Sequence, residues 1–247
     1  MKPQRNSVIV LASVLFCSVS FAFAAAPSDP LWQRALAVAR TNADWVAGLV
    51  VTRSQVVYKG ETNGVHEIWK RSRLGTHAEV ITDTVKVLED GKDVTEQEKK
   101  KEKGKAKKPG GQVSINPFDA ETQDRLSLAM TNRSRKIEGK DCIGYVFEVR
   151  NTNGPRAQGI AWLERQTGIP AELENVTLHP LPDKHLKGMT ITTRYESTAD
   201  GVWRVKEMRT IGKASMLFIT ADIQSSMTFS EYWKKSPRKV IAEKDER

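Results

Sequence analysis

Past its first 24 residues the chain changes hydrophobic period more than once. Trp32, Ala35, Leu36 and Ala39 recur at helical spacing, with Asp29 placed to cap the first turn and Pro30 at its first position. Residues 30–42 are therefore expected to form an amphipathic helix. From Trp45 the period drops to two. Residues 45–58 and 64–74 are expected as strands joined at Asn63-Gly64, followed by a strand over 78–88 and a turn at Asp90-Gly91. Further on, Asn116 suits a cap with Pro117 behind it, and Asp119, Glu121 and Asp124 suit the positive end of a helix. With Leu126 and Met130 four residues apart on one face, the pattern predicts a short second helix over 117–131.

From Arg133 the chain is β again. In CIGYVFEVRN (142–151), Ile143, Tyr145, Phe147 and Val149 point one way, while Cys142, Gly144, Glu148 and Arg150 point the other. Such alternation belongs to an antiparallel sheet with one covered face. Ile160 to Leu163 reads as a strand, Gln166-Thr167-Gly168 as a glycine-bearing bend, and the chain from Ile169 as the returning strand. Pro170 marks that strand as irregular at its start or near an edge, and Glu164, Arg165, Glu172 and Glu174 read as solubilising charges on the outer face. Strands over 188–197, 202–211 and 213–229 follow, divided by Asp200-Gly201 and by Gly212, with Leu217, Ile219, Ala221 and Ile223 on one face of the last. The polar tail after Pro237 is expected to be disordered. A run of strands with one or two helices makes the fold class α+β, in one domain over 25–235 with a tail at 236–247.

The first 24 residues have the form of an export signal. Lys2 and Arg5 supply a basic start, Ser7 to Phe23 is apolar, and Ala22-Phe23-Ala24 offers a small-x-small site, placing cleavage after Ala24 and the mature protein in the periplasm. A lipid anchor on Cys17 is disfavoured by the bulk of Phe16. Loss of Cys17 leaves Cys142 alone, so no internal disulfide is expected, and a small apolar residue inside a strand is the preferred reading over a reactive thiol.

The formal net charge is +9, and much of the excess sits in one place. Lys99 to Lys108 holds seven lysines against one glutamate, followed by Pro109-Gly110-Gly111. Self-repulsion and the lack of apolar residues predict a solvated loop over 96–111. Lys99, Lys100, Lys101, Lys103 and Lys105 are its candidates for contact with an anionic membrane surface. Nucleic acid is not an expected partner, since export removes it and no aromatic residue is interleaved for stacking.

Catalytic signatures are missing. His66-Glu67 lacks the second histidine of a zincin helix, His179 and His185 flank Asp183 without a further ligand, and His77 stands apart. There is no Gly-x-Ser-x-Gly elbow, phosphate-cradling loop or paired-cysteine zinc knuckle, so no enzyme activity, cofactor or metal is expected. Asn132-Arg133-Ser134 and Asn175-Val176-Thr177 match the common glycosylation triplet. Six tryptophans (Trp32, Trp45, Trp69, Trp162, Trp203 and Trp233) bring large apolar area either to a core or to an apolar ligand.

Three stretches carry a family likeness: GIAWLERQTGIPAELE (159–174), RYESTADGVWRVKEM (194–208) and ITADIQSSMTFSEYW (219–233). With the exported helix ahead of them, their strand, Thr-Gly turn, Pro and strand hairpin and their late aromatic pair Tyr232-Trp233 resemble the outer-membrane lipoprotein-sorting (LolA-like) superfamily. The resemblance covers about residues 30–233, most clearly 139–233. It implies a curved antiparallel sheet, a half-open β-barrel wrapped around one or two helices, with an apolar cavity for acyl chains. It also implies a non-catalytic carrier of lipid or lipoprotein, or alternatively a regulatory or scaffolding module that binds another inner- or outer-membrane protein. On that reading Trp69, Tyr145, Phe147, Trp162, Leu217 and Ile219 are the candidate cavity residues. The lysine-rich insertion departs from the usual carriers.

Overall fold

A computed structural model describes residues 29–76, 79–103, 116–150, 156–181, 185–216 and 219–235. The expected leader, His77, Asp183, Lys105, Leu217 and the tail lie outside these residues. Helix α1 (Pro30–Thr41) leads into β1 (Trp45–Val46), β2 (Leu49–Tyr58), β3 (Glu61–Leu74), β4 (Val80–Glu89), β5 (Lys92–Asp93) and helix α2 (Thr95–Lys103). A 3₁₀ turn (Ala120–Arg125) then opens the second half: β6 (Leu126–Ile137), β7 (Lys140–Val149), β8 (Arg156–Glu164), β9 (Pro170–His179), β10 (Leu186–Ser197), β11 (Trp203–Met216), β12 (Ile219–Ser230) and β13 (Trp233–Lys234).

Eleven strands form one antiparallel sheet in the order β5-β4-β3-β2-β12-β11-β10-β9-β8-β7-β6, and β1 pairs separately with β13. The main sheet is therefore two meanders joined where β2 meets β12, from Asp222 opposite Val57 to Ser230 opposite Leu49. It is curved and unclosed, with β5 and β6 at its edges.

Helix α1 lies against one face of the β6–β11 half. Its burial follows from its sequence period, with Trp32 and Ala35 at 0% exposure beside Leu36. They meet Phe118 and the alternating set Ile143, Tyr145, Phe147 and Val149, together with Ala161, Leu163, Leu173, Val176, Ile191 and Tyr195. Each fully buried large side chain here contributes about 1.5–3 kcal/mol. Both helix ends are tied to the sheet. Asp29 accepts from the Leu31 and Trp32 amides at 2.8 and 3.2 Å, and its other oxygen accepts from the Tyr145 hydroxyl at 3.1 Å. At the far end the Asn42 side-chain oxygen accepts from the Trp203 amide at 3.0 Å.

Several local expectations are corrected. The β2–β3 turn is Lys59-Gly60, with φ of 52° and 83°, closed by Tyr58 opposite Glu61. Asn63-Gly64 lies inside β3, where Gly64 (φ 74°) is the extra residue of a bulge between Gln55 and Val56. The expected strand 45–58 is broken at Ala47-Gly48, because Trp45 and Val46 leave the main sheet to pair with β13. A side chain at Gly48 would stand 2.3 Å from the Glu231 carbonyl.

The expected helix over 117–131 is a 3₁₀ turn followed by strand β6. A spacing of four between Leu126 and Met130 suits period two as well as a helix, and Leu126 and Leu128 pair with Val149 and Phe147. Gly212 does not divide two strands. Strand β11 runs through it, with Gly212 paired to Met189 and to Ile223 in unbroken register, and β11 ends at Met216, opposite Ile219 of β12. Part of the predicted lysine loop is helical: α2 pairs Glu96 with Lys99 and Glu98 with Lys101, one turn apart. Pro170 begins β9, an interior strand whose start is irregular, with a register shift between Trp162 and Leu163 opposite it, so of the two alternatives the irregular start holds and the edge does not.

Candidate functional site

Where α1 ends, the covered half of the sheet gives way to an open cleft of about 660 Å³. It is lined by Trp45, Phe118, Trp203, Val205, Phe229 and Tyr232 and by the small residues Ala39, Ala43 and Ala47, and Arg40, Asp119, Glu121 and Arg204 carry its charge. The volume lies within the usual range for small-molecule sites.

The walls are held by side-chain bonds that spend their own polar groups. Trp203 stacks on Tyr195 with centroids 4.5 Å apart, meets Phe118 edge-on at 6.2 Å, and donates its indole N–H to the Pro170 carbonyl at 2.8 Å. Tyr232 donates to the Val205 carbonyl at 2.6 Å, and Arg204 lies over its ring at 4.8 Å while bonding Glu196 at 2.7 Å. Burial pushes the phenols of Tyr195 and Tyr232 above their ordinary range, so both rings stay neutral. Phe118 is brought in by the Asn116 turn, where the Asn116 oxygen accepts from the Phe118 amide at 3.2 Å.

The cleft continues onto the uncovered half of the sheet through Phe229. Register places Phe229, Met227, Ser225 and Ile223 of β12 beside Val50, Thr52, Ser54 and Val56 of β2, then Ile68 and His66 of β3, on the helix side. These ten positions contain no carboxylate, lysine or arginine. Val56 is 40% exposed, and the others are half-buried. The opposite face of the same strands carries Arg53, Glu67, Glu207, Arg209 and Asp222. Lys70, opposite Val50, and Glu89, opposite His66, share the helix-side face, so the trough is uncharged across β12 and β2, is bordered by charge on β3 and β4, and opens from an aromatic cleft.

The residues singled out in the sequence fall elsewhere. Tyr145 and Phe147, at 1% and 0% exposure, lie in the closed core beneath α1. Trp69 lies on the charged face of β3, its indole N–H donated to Glu67 at 2.5 Å and Lys86 over its ring at 5.4 Å. Ile219 opens β12 opposite Met216, and Leu217 is outside the described residues. Lys99, Lys100, Lys101 and Lys103 belong to α2, with Lys100 exposed, and Lys105 is outside the described residues.

Trp162 is buried, at 4% exposure, but on the face away from α1. Its ring underlies the Arg135 guanidinium at 4.3 Å, and its N–H donates to Glu174 at 2.6 Å. Arg135 also holds Glu172 at 2.6 Å, and Arg194 reaches Glu172 at 3.1 Å. Glu172 is therefore a 5% exposed ion-pair centre, which corrects the expectation of a solvated outer charge. The Trp32 indole N–H, the Arg135 Nε and the Thr177 hydroxyl find no partner among the described residues. Cys142 is free and fully buried, and burial pushes its thiol up, away from the reactive thiolate form.

Among the described residues, no group of three or more His, Cys, Asp or Glu side chains could hold a metal ion. No helix among them is long and apolar enough to cross a membrane. The cleft residues Trp45, Phe118, Trp203, Phe229 and Tyr232 were not chosen from the sequence, although Tyr232 stood out in the aromatic pair and two of the tryptophans are among the six.

The chain is similar in fold to lipoprotein-sorting proteins. A domain from Vibrio parahaemolyticus described as an outer membrane lipoprotein-sorting protein matches with a TM-score of 0.40 and 11% identity, covering 83% of this chain and 94% of that one. A LolA superfamily protein from Nitrosomonas europaea matches at 0.35 and 11% identity, over 84% and 93%. The Pseudomonas aeruginosa MucA/MucB complex contains a match at 0.22 and 10% identity, over 84% and 98%. No family model matches, and no curated protein does. At such low TM-scores, what the site can do has to follow from its own residues.

Proposed function

We propose that this chain is an exported, non-catalytic carrier that takes up an acyl chain, on a lipid or a lipoprotein, along the cleft and the trough. The observation that carries the reading is the continuity of the aromatic cleft, through Phe229, with the uncharged, half-exposed strip where β12 meets β2. Exposed apolar area of that kind marks a binding surface more often than chance. Helix α1 covers the other half of the same face, so a ligand in the trough would complete burial that the chain itself leaves unfinished.

An acyl chain suits the trough because it is flexible, uncharged and asks for no hydrogen bonds. Each buried methylene contributes about 0.8 kcal/mol before ordering costs. Affinity for fatty acids or lysolipids should therefore rise with chain length and level off when the trough is full. Titrations read by tryptophan fluorescence and calorimetry test this. Ser225→Asp sets a carboxylate in the middle of the trough and should abolish binding, while the thermal transition survives because Ser225 is outside the core. Failure of any acylated ligand to bind the folded, delipidated protein would end the carrier reading. Capture of an envelope protein instead would favour a regulatory or scaffolding module.

A further inference from the structure

The charges of the cleft are arranged for more than an acyl chain. We infer that the cleft selects a zwitterionic head group, an ammonium joined to a phosphate, an inference that rests on the acyl-chain reading above. Of the four charged residues lining the cleft, Arg204 is already committed to Glu196 and to the Tyr232 ring. Arg40, in the last turn of α1, and Glu121, in the 3₁₀ turn, are exposed and have no side-chain partner among the described residues. Asp119, like Arg204, is already bonded, accepting from the Asn116 amide at 2.9 Å. One guanidinium and one carboxylate, Arg40 and Glu121, therefore remain beside the rings of Trp45, Phe118, Trp203 and Tyr232.

Each class of head group meets this set differently. A simple anion gains Arg40 but faces Glu121. A simple cation gains Glu121 and the negative faces of the aromatic rings, but faces Arg40. A neutral sugar leaves both charges unused. A phosphate bonded to Arg40, with its ammonium turned to Glu121 and the rings, uses both. The acyl chain then continues past Phe229 into the trough.

The test compares four dodecyl amphiphiles below their micelle thresholds: the phosphocholine, the phosphate monoester, the trimethylammonium and the maltoside. On the intact mature protein the phosphocholine should bind about fivefold tighter than the maltoside, the size expected for solvent-exposed charge contacts. Glu121→Gln should remove its advantage over the phosphate monoester, and Arg40→Gln its advantage over the trimethylammonium compound. Both side chains are exposed, so neither change should disturb folding. Equal binding of all four, tighter binding of the phosphate monoester, or an unchanged ranking in Glu121→Gln would overturn the head-group inference and leave the acyl-chain reading standing. No binding by any of the four, maltoside included, would overturn both.

Discussion

Replacing Trp162 measures how much a buried side chain on the face away from α1 contributes, and through which partners. The ring is 4% exposed, supports the Arg135 guanidinium at 4.3 Å, and bonds Glu174 at 2.6 Å. Trp162→Ala loses the buried area and leaves a void beside Gly144, whose missing side chain already lets the ring approach. The expected loss is about 3–5 kcal/mol. Trp162→Phe keeps a ring under Arg135 and loses the N–H donor with part of the buried ring. Glu174 retains Arg135 at 3.3 Å and is 25% exposed, so that loss should be smaller, about 1–2 kcal/mol.

Urea denaturation of the protein gives both numbers, provided the slope with denaturant is unchanged. Adding Arg135→Ala to each background completes a double-mutant cycle. In the alanine cycle Trp162 and Arg135 should couple by about 0.5–1 kcal/mol or more, because removing the ring removes the guanidinium's support. In the phenylalanine cycle most of that coupling should persist. Strict additivity in both cycles would refute the claim that the ring and the guanidinium act together. A near-neutral Trp162→Ala would refute its burial.

Alkaline conditions test the phenols: burial chiefly, aided for Tyr145 and Tyr195 by nearby acidic charge, raises Tyr145, Tyr195 and Tyr232 in the folded state above the ordinary value of 10.0. Their contribution is thus whole below that value and is lost as pH rises past it, because only the unfolded chain ionises there; urea midpoints should fall above pH 10, with tyrosinate absorbance from these rings appearing only on unfolding, and free titration in the folded protein would contradict their burial. Gly168→Ala should destabilise by clearly more than the roughly 1 kcal/mol of Gly60→Ala, although both have positive φ, since at Gly168 a Cβ meets the Leu31 carbonyl at 2.8 Å and at Gly60 nothing lies within 4 Å. Equal losses at the two positions, measured by thermal denaturation, would mean that the Gln166–Gly168 bend does not press on α1.

Much of the architecture was legible because it depends on local period and local caps. The helix over 30–42 follows from Asp29, Pro30 and a 3.6-residue stripe, and each of these signals acts within a few residues. The alternation in 142–151 assigned Ile143, Tyr145, Phe147 and Val149 to one face because side-chain direction in a strand follows from parity alone. Asp90-Gly91 and Gly168 turned where positive φ was needed. Where two local signals were degenerate, the sequence could not choose. Leu126 and Met130 fit either period, and Lys59-Gly60 competed with Asn63-Gly64 for a single turn that cross-strand register decided.

Parity also says which residues share a face, but not which face α1 covers or where that cover stops. Trp162 and Leu163 are neighbours in one strand; Leu163 packs under the helix, and Trp162 is buried by Arg135 and Glu174 from strands 27 and 12 residues away in sequence terms, respectively. Glu172 looked solvated until the fold placed Arg135 and Arg194 on either side of it. The cleft is assembled from α1, β1, the Asn116 turn, β11, β12 and Tyr232, segments that no local pattern connects. Local sequence determined the elements and their two-sidedness, because those depend on near-neighbour sterics and polarity. Tertiary structure decided the open half of the sheet, because that depends on a helix too short to cover eleven strands.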